Sequence, residues 1–165
     1  MKRMKRFLGL LLCGILTLGC LVSCGESKVI EAINEEIDNY VQNTLNNFTE
    51  EGYDASADIL GKIYKDSTIQ YKDIKIENNI ATVIVEVKNK NFSTIINRGS
   101  DLAKSRINLV TPSKTLMNNA MWEVYDKEEP EEREVELKLS KIGNEWKLDP
   151  YSYDELVYLV TGIRD

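Results

Sequence analysis

Hydrophobic residues recur at helical spacing in the segment that follows residue 29. Between residues 30 and 48 they occur every three or four positions, separated by acidic and amide side chains. This spacing predicts a long amphipathic helix, because residues three and four apart lie on one face. Gly52 interrupts the pattern, and a shorter helix is predicted over residues 55–64.

The hydrophobic period changes to two after residue 67. Residues 68–77 and 80–88 predict two strands, joined by Asn78-Asn79, whose side chains tolerate the positive φ of a two-residue turn. The apolar residues of the first strand fall out of phase on either side of Lys72-Asp73. We therefore predict a β-bulge at that point.

The second half of the chain returns to helical spacing and then alternates again. Residues 92–107 predict a helix interrupted at Gly99, and Pro112 marks the start of another helix. The charged stretch 125–133 predicts a loop. The elements expected after it are an alternating strand to Ser140, a turn at Gly143-Asn144, a short strand over 145–148 and a last helix over 153–163.

This order predicts an α+β fold in which about four antiparallel strands, in two hairpins, pack on the long N-terminal helix. We expect Trp146 to close the core between the last hairpin and that helix. The core positions that we predict are Ile37, Val83, Val85, Leu137 and Trp146.

The N-terminal segment differs from the rest of the chain. Four basic residues occur between positions 2 and 6, and the 19 residues from Phe7 to Gly25 carry no charge. A basic start followed by a short apolar run is typical of a secretory signal peptide. The length of the run also allows an uncleaved membrane anchor, and a plain secreted protein is a further alternative.

Residues 21–24 resemble the lipobox of bacterial lipoproteins. Leu21 is the aliphatic residue, Val22 occupies a tolerant position, Ser23 is small, and Cys24 is the required cysteine. The resemblance implies that residues 1–23 are removed and that the Cys24 thiol accepts a diacylglyceryl group. The protein would then be held on the outer, extracytoplasmic face of the cell membrane by lipid on Cys24.

All three cysteines lie in this segment, at positions 13, 20 and 24. Cys20 fits a lipobox less well, because Thr17 stands where the aliphatic residue is expected. A mature chain would keep Cys24 alone, so no disulfide would form within it. Residues 24–28 would be a short tether reaching about 14 Å when extended, and residues 29–165 would form a single domain.

Removal of residues 1–23, which contain four basic and no acidic residues, changes the formal net charge from −6 to −10. Nucleic-acid binding requires clustered lysine and arginine side chains, so we expect no nucleic-acid partner. The frequent use of lysine, isoleucine and asparagine is associated with AT-rich genomes, as in many Gram-positive bacteria.

The order of elements over residues 29–148, with the last hairpin Gly-Asn-Glu-Trp-Lys-Leu, resembles the cone-shaped domains called nuclear-transport-factor-like or cystatin-like. Small lipoproteins of Gram-positive-type bacteria often carry them. The resemblance implies a curved antiparallel sheet around a long helix, with a pocket at the wide end. Some members are enzymes and many only bind, so the fold assigns no activity.

The chain contains no histidine, which removes the commonest general base and metal ligand. We expect no cofactor and no metal. Isomerases of the resembled superfamily use an acid and a tyrosine in the pocket. Here Tyr40, Tyr64 and Tyr71 are the candidate pocket walls and Asp58 or Asp73 the candidate acid, although all five residues also suit an ordinary core edge.

Two other patterns have a functional and a plain interpretation. The acidic stretch 126–134 offers oxygens to calcium, but it lacks the ligand spacing of a known loop and is typical of a solvated connection. Trp122 and Trp146 suit ligand stacking or, more commonly, packing in a core.

These observations favour a non-enzymatic binding or interaction module of unknown target, anchored through Cys24. Its position close to the lipid suits contact with another membrane or envelope protein. A small isomerase-like pocket enzyme or ligand carrier is the alternative. A substrate receptor of an import system is a third hypothesis, although such receptors usually close two lobes on a ligand and this chain predicts one domain.

Overall fold

The computed structural model describes residues 24–107 and 111–164, which form five α-helices and one four-stranded antiparallel sheet. A single 3₁₀ turn, Pro150–Ser152, precedes the last helix. In chain order the elements are α1 (Cys24–Glu50), α2 (Asp54–Lys65), β1 (Thr68–Glu77), β2 (Ile80–Asn89), α3 (Phe92–Ser105), α4 (Ser113–Lys127), β3 (Glu131–Ile142), β4 (Glu145–Leu148) and α5 (Tyr153–Thr161). The α+β class predicted from the sequence is confirmed.

Helix α1 buries one stripe of side chains and leaves the opposite face exposed. Val29, Ile33, Ile37 and Val41 are each at most 1% exposed, at the four-residue spacing of a single helical face. Residues 24–28 lie within this helix and are not an extended tether. The predicted signal segment 1–23, with the predicted lipobox positions Leu21, Val22 and Ser23, lies outside the described residues.

The sheet has the strand order β1-β2-β3-β4 with antiparallel neighbours throughout. Two hairpins, β1–β2 and β3–β4, are joined by a long connection that carries α3 and α4. The predicted bulge is confirmed, because the β1–β2 register shifts between Lys72 and Lys75, and Asp73 adopts a φ of 47°. Asn78 supplies the positive φ of the turn, at 56°.

The first of two hydrophobic clusters lies between α1, α5 and the inner face of the sheet. Ile37, Val83, Val85 and Leu137 are buried in it. Trp146, which we expected to close this core, is half-buried and packs on the edge of the cluster. It lies on β4, the short edge strand, where one side of the ring has no further strand to cover it.

The second cluster lies between α2, α3 and α4. The predicted interruption at Gly99 is wrong, since α3 continues through it. A Cβ atom at Gly99 would lie 2.6 Å from Met121 Cγ and 2.9 Å from Met121 Cα. The glycine is therefore the point where α3 and α4 approach each other closely.

The loop predicted over residues 125–133 is also wrong at both ends. Helix α4 continues to Lys127 and β3 begins at Glu131. Tyr125 is buried, with Lys90 Nζ lying 4.2 Å from its ring centroid and donating to its carbonyl oxygen at 2.7 Å. Residues 131–133 belong to β3, where Glu131 and Glu132 are exposed and Arg133 is buried.

Candidate functional site

Two of the three candidate tyrosines join α1 to its neighbours through their hydroxyl groups. Tyr64, on α2, donates to the carboxylate of Asp38. Tyr71, on β1, donates to Asn34 Oδ1 at 2.5 Å. Burial, and secondly the negative charge of Asp38, raise the pKa of Tyr71 above its ordinary value. Tyr71 is therefore held as a neutral donor and not as a proton-accepting phenolate.

Tyr40 packs edge-on against Tyr153, with ring centroids 6.1 Å apart, and burial raises the pKa of Tyr40. Asp58 and Asp73, the predicted acids, are both exposed, and neither forms a hydrogen bond with a tyrosine. The acid that lies beside a candidate tyrosine is Asp38, which contacts Tyr64 and lies one turn after Asn34 on α1. The i, i+4 spacing places Asp38 and Asn34 on one face of α1, but no sequence pattern links either residue to its tyrosine.

An open groove of about 390 Å³ runs between the first half of α1 and the β3–β4 hairpin. Most of the side chains that line the groove are charged or polar, and they come from both α1 and the β3–β4 hairpin. Its lining includes Lys28, Ala32 and Glu35 of α1 and Glu145, Trp146 and Lys147 of β4. The groove can accept a surface or an extended ligand, and it does not enclose a small molecule.

The two tryptophans lie in different environments. Trp146 forms part of the groove and has Lys141 Nζ at 6.0 Å from its ring centroid. Trp122 is half-buried on α4 and packs edge-on against Tyr125 at 5.3 Å. One part of the Trp146 side chain packs on the first cluster and another part lines the groove.

The acidic stretch 126–134 is used in ion pairs. Glu128 accepts from Arg98 at 3.0 Å and Glu132 from Lys88 at 3.3 Å. Across residues 24–107 and 111–164, no cluster of three or more acidic or cysteine side chains is arranged to hold a metal ion.

A buried polar network that the sequence reasoning missed surrounds Arg133. Its guanidinium donates to Asn89 Oδ1, to the Leu159 carbonyl at 3.1 Å and to Glu131 at 2.5 Å. Asn89 in turn donates to the Val160 carbonyl at 3.3 Å. The network joins β2 and β3 to the end of α5. Arg133 lies two residues before the inward-facing Val135 on β3. The alternation of the strand could therefore have indicated that the Arg133 side chain is buried.

Cys24 is exposed, lies in α1 and forms no disulfide in the described part of the chain. Its side chain is therefore accessible to modification. None of the helices in the described part of the chain has the length and apolar character needed to cross a membrane.

No protein-family model matches the chain, and no curated protein matches it. The cone-domain resemblance therefore stays a prediction. The crystal structure of a candidate lipoprotein of Bacillus subtilis, YcdA, is similar at 22% sequence identity with a TM-score of 0.46. The similarity covers 81% of this chain and 46% of that one, so the chain spans less than half of the length of YcdA.

Proposed function

We propose that the chain is the precursor of a bacterial lipoprotein, cut before Cys24 and held by lipid on the extracytoplasmic face of the membrane. Its folded domain would act there as a non-enzymatic module that binds another membrane or envelope protein. The observation that carries the proposal is the lipobox sequence from Leu21 to Cys24, together with the exposure of Cys24 at the start of α1.

The start of α1 supports a domain seated close to the lipid. Val29 is already fully buried, five residues after Cys24. Five helical residues rise by only about 7–8 Å. This distance is shorter than that of an extended tether, and the helix is also stiffer, so the attachment point and the core move together.

The polar groups of the domain support binding over turnover. Each buried side-chain nitrogen or oxygen of the described residues has a hydrogen-bond partner within the fold. The Tyr71 hydroxyl is occupied by Asn34, and the groove beside α1 is open to solvent. A groove of this kind suits a macromolecular surface better than a small metabolite.

Replacement of the modified cysteine tests the anchor. Cys24→Ala should leave an uncut precursor that incorporates no fatty-acid analogue, because the thiol is the acceptor of the lipid. Cys20→Ala is the matched control and should be labelled and cut like the natural protein. Labelling of Cys24→Ala at the natural level would contradict the proposal.

The same cells test the binding role. Crosslinking on intact cells should capture an envelope protein with the Cys20→Ala control, at the level that the natural protein gives. A crosslinked species should be absent when the folded domain is deleted and the anchor is kept. Capture that survives deletion of the domain would mean that the anchor, and not the module, makes the contact.

A further inference from the structure

We propose that the end of the sheet formed by the β1–β2 and β3–β4 turns rests on the lipid bilayer. We call this region the hairpin end, defined by Ile76, Ile80, Ile142 and Trp146. The inference rests on the proposed lipidation of Cys24. It adds an orientation, in which the domain contacts the membrane through protein side chains as well as through its lipid.

The exposed aliphatic side chains of the sheet are concentrated at the hairpin end. Ile142 is 63% exposed, Ile80 55% and Ile76 36%. Ile80 pairs with Ser140, and Ile142 lies two residues further along β3 on the same outer face. The diagonal neighbours of an antiparallel pair are within reach of each other. Two of the three isoleucines therefore form one exposed apolar surface at the tip of the sheet.

The hairpin end lies on the same side of the molecule as Cys24. Lys28 and Glu31, in the first turns of α1, line one groove with Asn144 and Glu145 at the β3–β4 turn. Further along α1, the contacts are with elements at the other end of the sheet. Tyr64, just before β1, reaches Asp38, and Phe48 packs on Phe92 after β2.

Trp146 and Lys141, which the β3–β4 register places on the inner face of the sheet behind Ile142, also suit a membrane interface at its tip. Tryptophan has a large apolar body with a polar N–H group, and it is enriched where hydrocarbon meets water. Lysine buries its methylene chain and keeps its ammonium group among the headgroups. Lys141, beside the Trp146 ring, and Lys147 on β4 are placed for that role.

The charges at the hairpin end are mixed. Lys28, Lys75, Lys141 and Lys147 lie there beside Glu31, Glu35, Glu77 and Glu145. The lysine ammonium groups can pair with anionic headgroups, so the exposed apolar side chains, and not the net charge, carry the orientation.

Fluorescence quenching tests the proposal on the full lipidated protein. The protein is reconstituted into vesicles of phosphatidylethanolamine and phosphatidylglycerol with brominated acyl chains. In the Trp122→Phe variant the remaining Trp146 should lose about half of its emission, because side chains at the interface lie about 5–10 Å into the headgroup and acyl boundary. In the matched Trp146→Phe variant, Trp122 should lose little.

Two isoleucine substitutions distinguish membrane contact by the hairpin end from attachment through the lipid on Cys24. Ile80→Asp with Ile142→Asp should abolish most of the Trp146 quenching while the protein still floats with the vesicles. Ile163→Asp, at an exposed position beyond α5, is the matched control and should leave the quenching unchanged. Both sites are exposed, so circular dichroism should show intact folds.

The outcomes distinguish the two proposals. Equal quenching of both tryptophans, or quenching that the Ile80→Asp and Ile142→Asp changes do not reduce, would overturn the orientation while leaving the anchor intact. Protein that carries no acyl mass and does not float would overturn the lipoprotein proposal itself. Loss of the quenching when a purified envelope protein is added would assign the hairpin end to that protein.

Discussion

Arg133 is a charged residue in the interior of the sheet. Its side chain is 2% exposed, and its donors reach Glu131, Asn89 and the Leu159 carbonyl. The guanidinium thus supplies a partner to a carbonyl group at the end of α5, which would otherwise have none inside the helix. It fixes α5 against β2 and β3 at a position where an apolar side chain could not satisfy these groups.

Arg133→Ala should lower the free energy of unfolding by about 3 kcal/mol, because the substitution leaves buried acceptors without a donor. Chemical denaturation of the purified protein measures this change. Lys88→Ala, which removes a neighbouring exposed ion pair with Glu132, should change it by less than about 1 kcal/mol. Equal losses in the two variants would show that the buried network adds nothing.

The sequence predicts single residues well where one periodicity decides their position. Ile37, Val83 and Leu137 follow from spacing alone, since each lies on the apolar face of its element. Trp146 and the partners of Tyr64 and Tyr71 do not follow, because they depend on which elements become neighbours. The Asp38–Tyr64 and Asn34–Tyr71 contacts need the packing of α1 on α2 and β1, which no local pattern contains.

At the scale of elements, two glycines on helices have opposite surroundings. Gly99 on α3 faces the backbone of α4, where an added Cβ would lie 2.9 Å from Met121 Cα. Gly61 on α2 has Leu45 Cδ2 at 3.8 Å from the position of an added Cβ, which is an ordinary contact. The first glycine is needed for the fold, and the second only adds flexibility to its helix.

Gly99→Ala should therefore destabilise the protein by about 2 kcal/mol, as overpacking of a core usually does. Gly61→Ala should stabilise it by about 0.5–1 kcal/mol, because alanine loses less backbone entropy in a helix. Thermal unfolding of the two variants gives the comparison. A stabilised Gly99→Ala protein would mean that α3 and α4 can separate at no cost.

The sequence identifies helices and strands more reliably than their ends. Gly99 suggests a break because glycine is a poor helix former, yet the close approach of α4 overrides that preference. The charged stretch 125–133 suggests a loop, yet α4 extends to Lys127 and β3 begins at Glu131, which leaves only three residues between them. In both cases a tertiary contact outweighs the local signal.

At the scale of the whole molecule, α1 connects the two hydrophobic clusters. Its N-terminal and central residues pack in the cluster with the sheet and α5, while Leu45 packs against both clusters and Phe48 against the second. One helix continuous through both clusters makes them unfold together, since loss of either removes packing from α1.

The two tryptophans report on this cooperativity, because Trp146 packs on the first cluster and Trp122 on the second. In Trp122→Phe and Trp146→Phe, the remaining fluorescence should follow the same denaturation curve as the circular dichroism of that variant. Measuring both signals on one sample provides the internal control. Separate transitions in either variant would show that the clusters unfold independently.

The helical conformation of residues 24–28 would also make this part of α1 sensitive to the chemistry of an amino group created at Cys24. Aligned peptide dipoles place roughly half a positive charge at a helix N-terminus, and Glu26 in the first turn of α1 offsets it. Cleavage before Cys24 would create an α-ammonium group there, which disfavours the turn by about 0.3–1 kcal/mol. Acylation of that nitrogen would remove the charge. Cleavage would thus destabilise the part of α1 next to the lipid attachment point, and acylation of the new amino group would restore its stability.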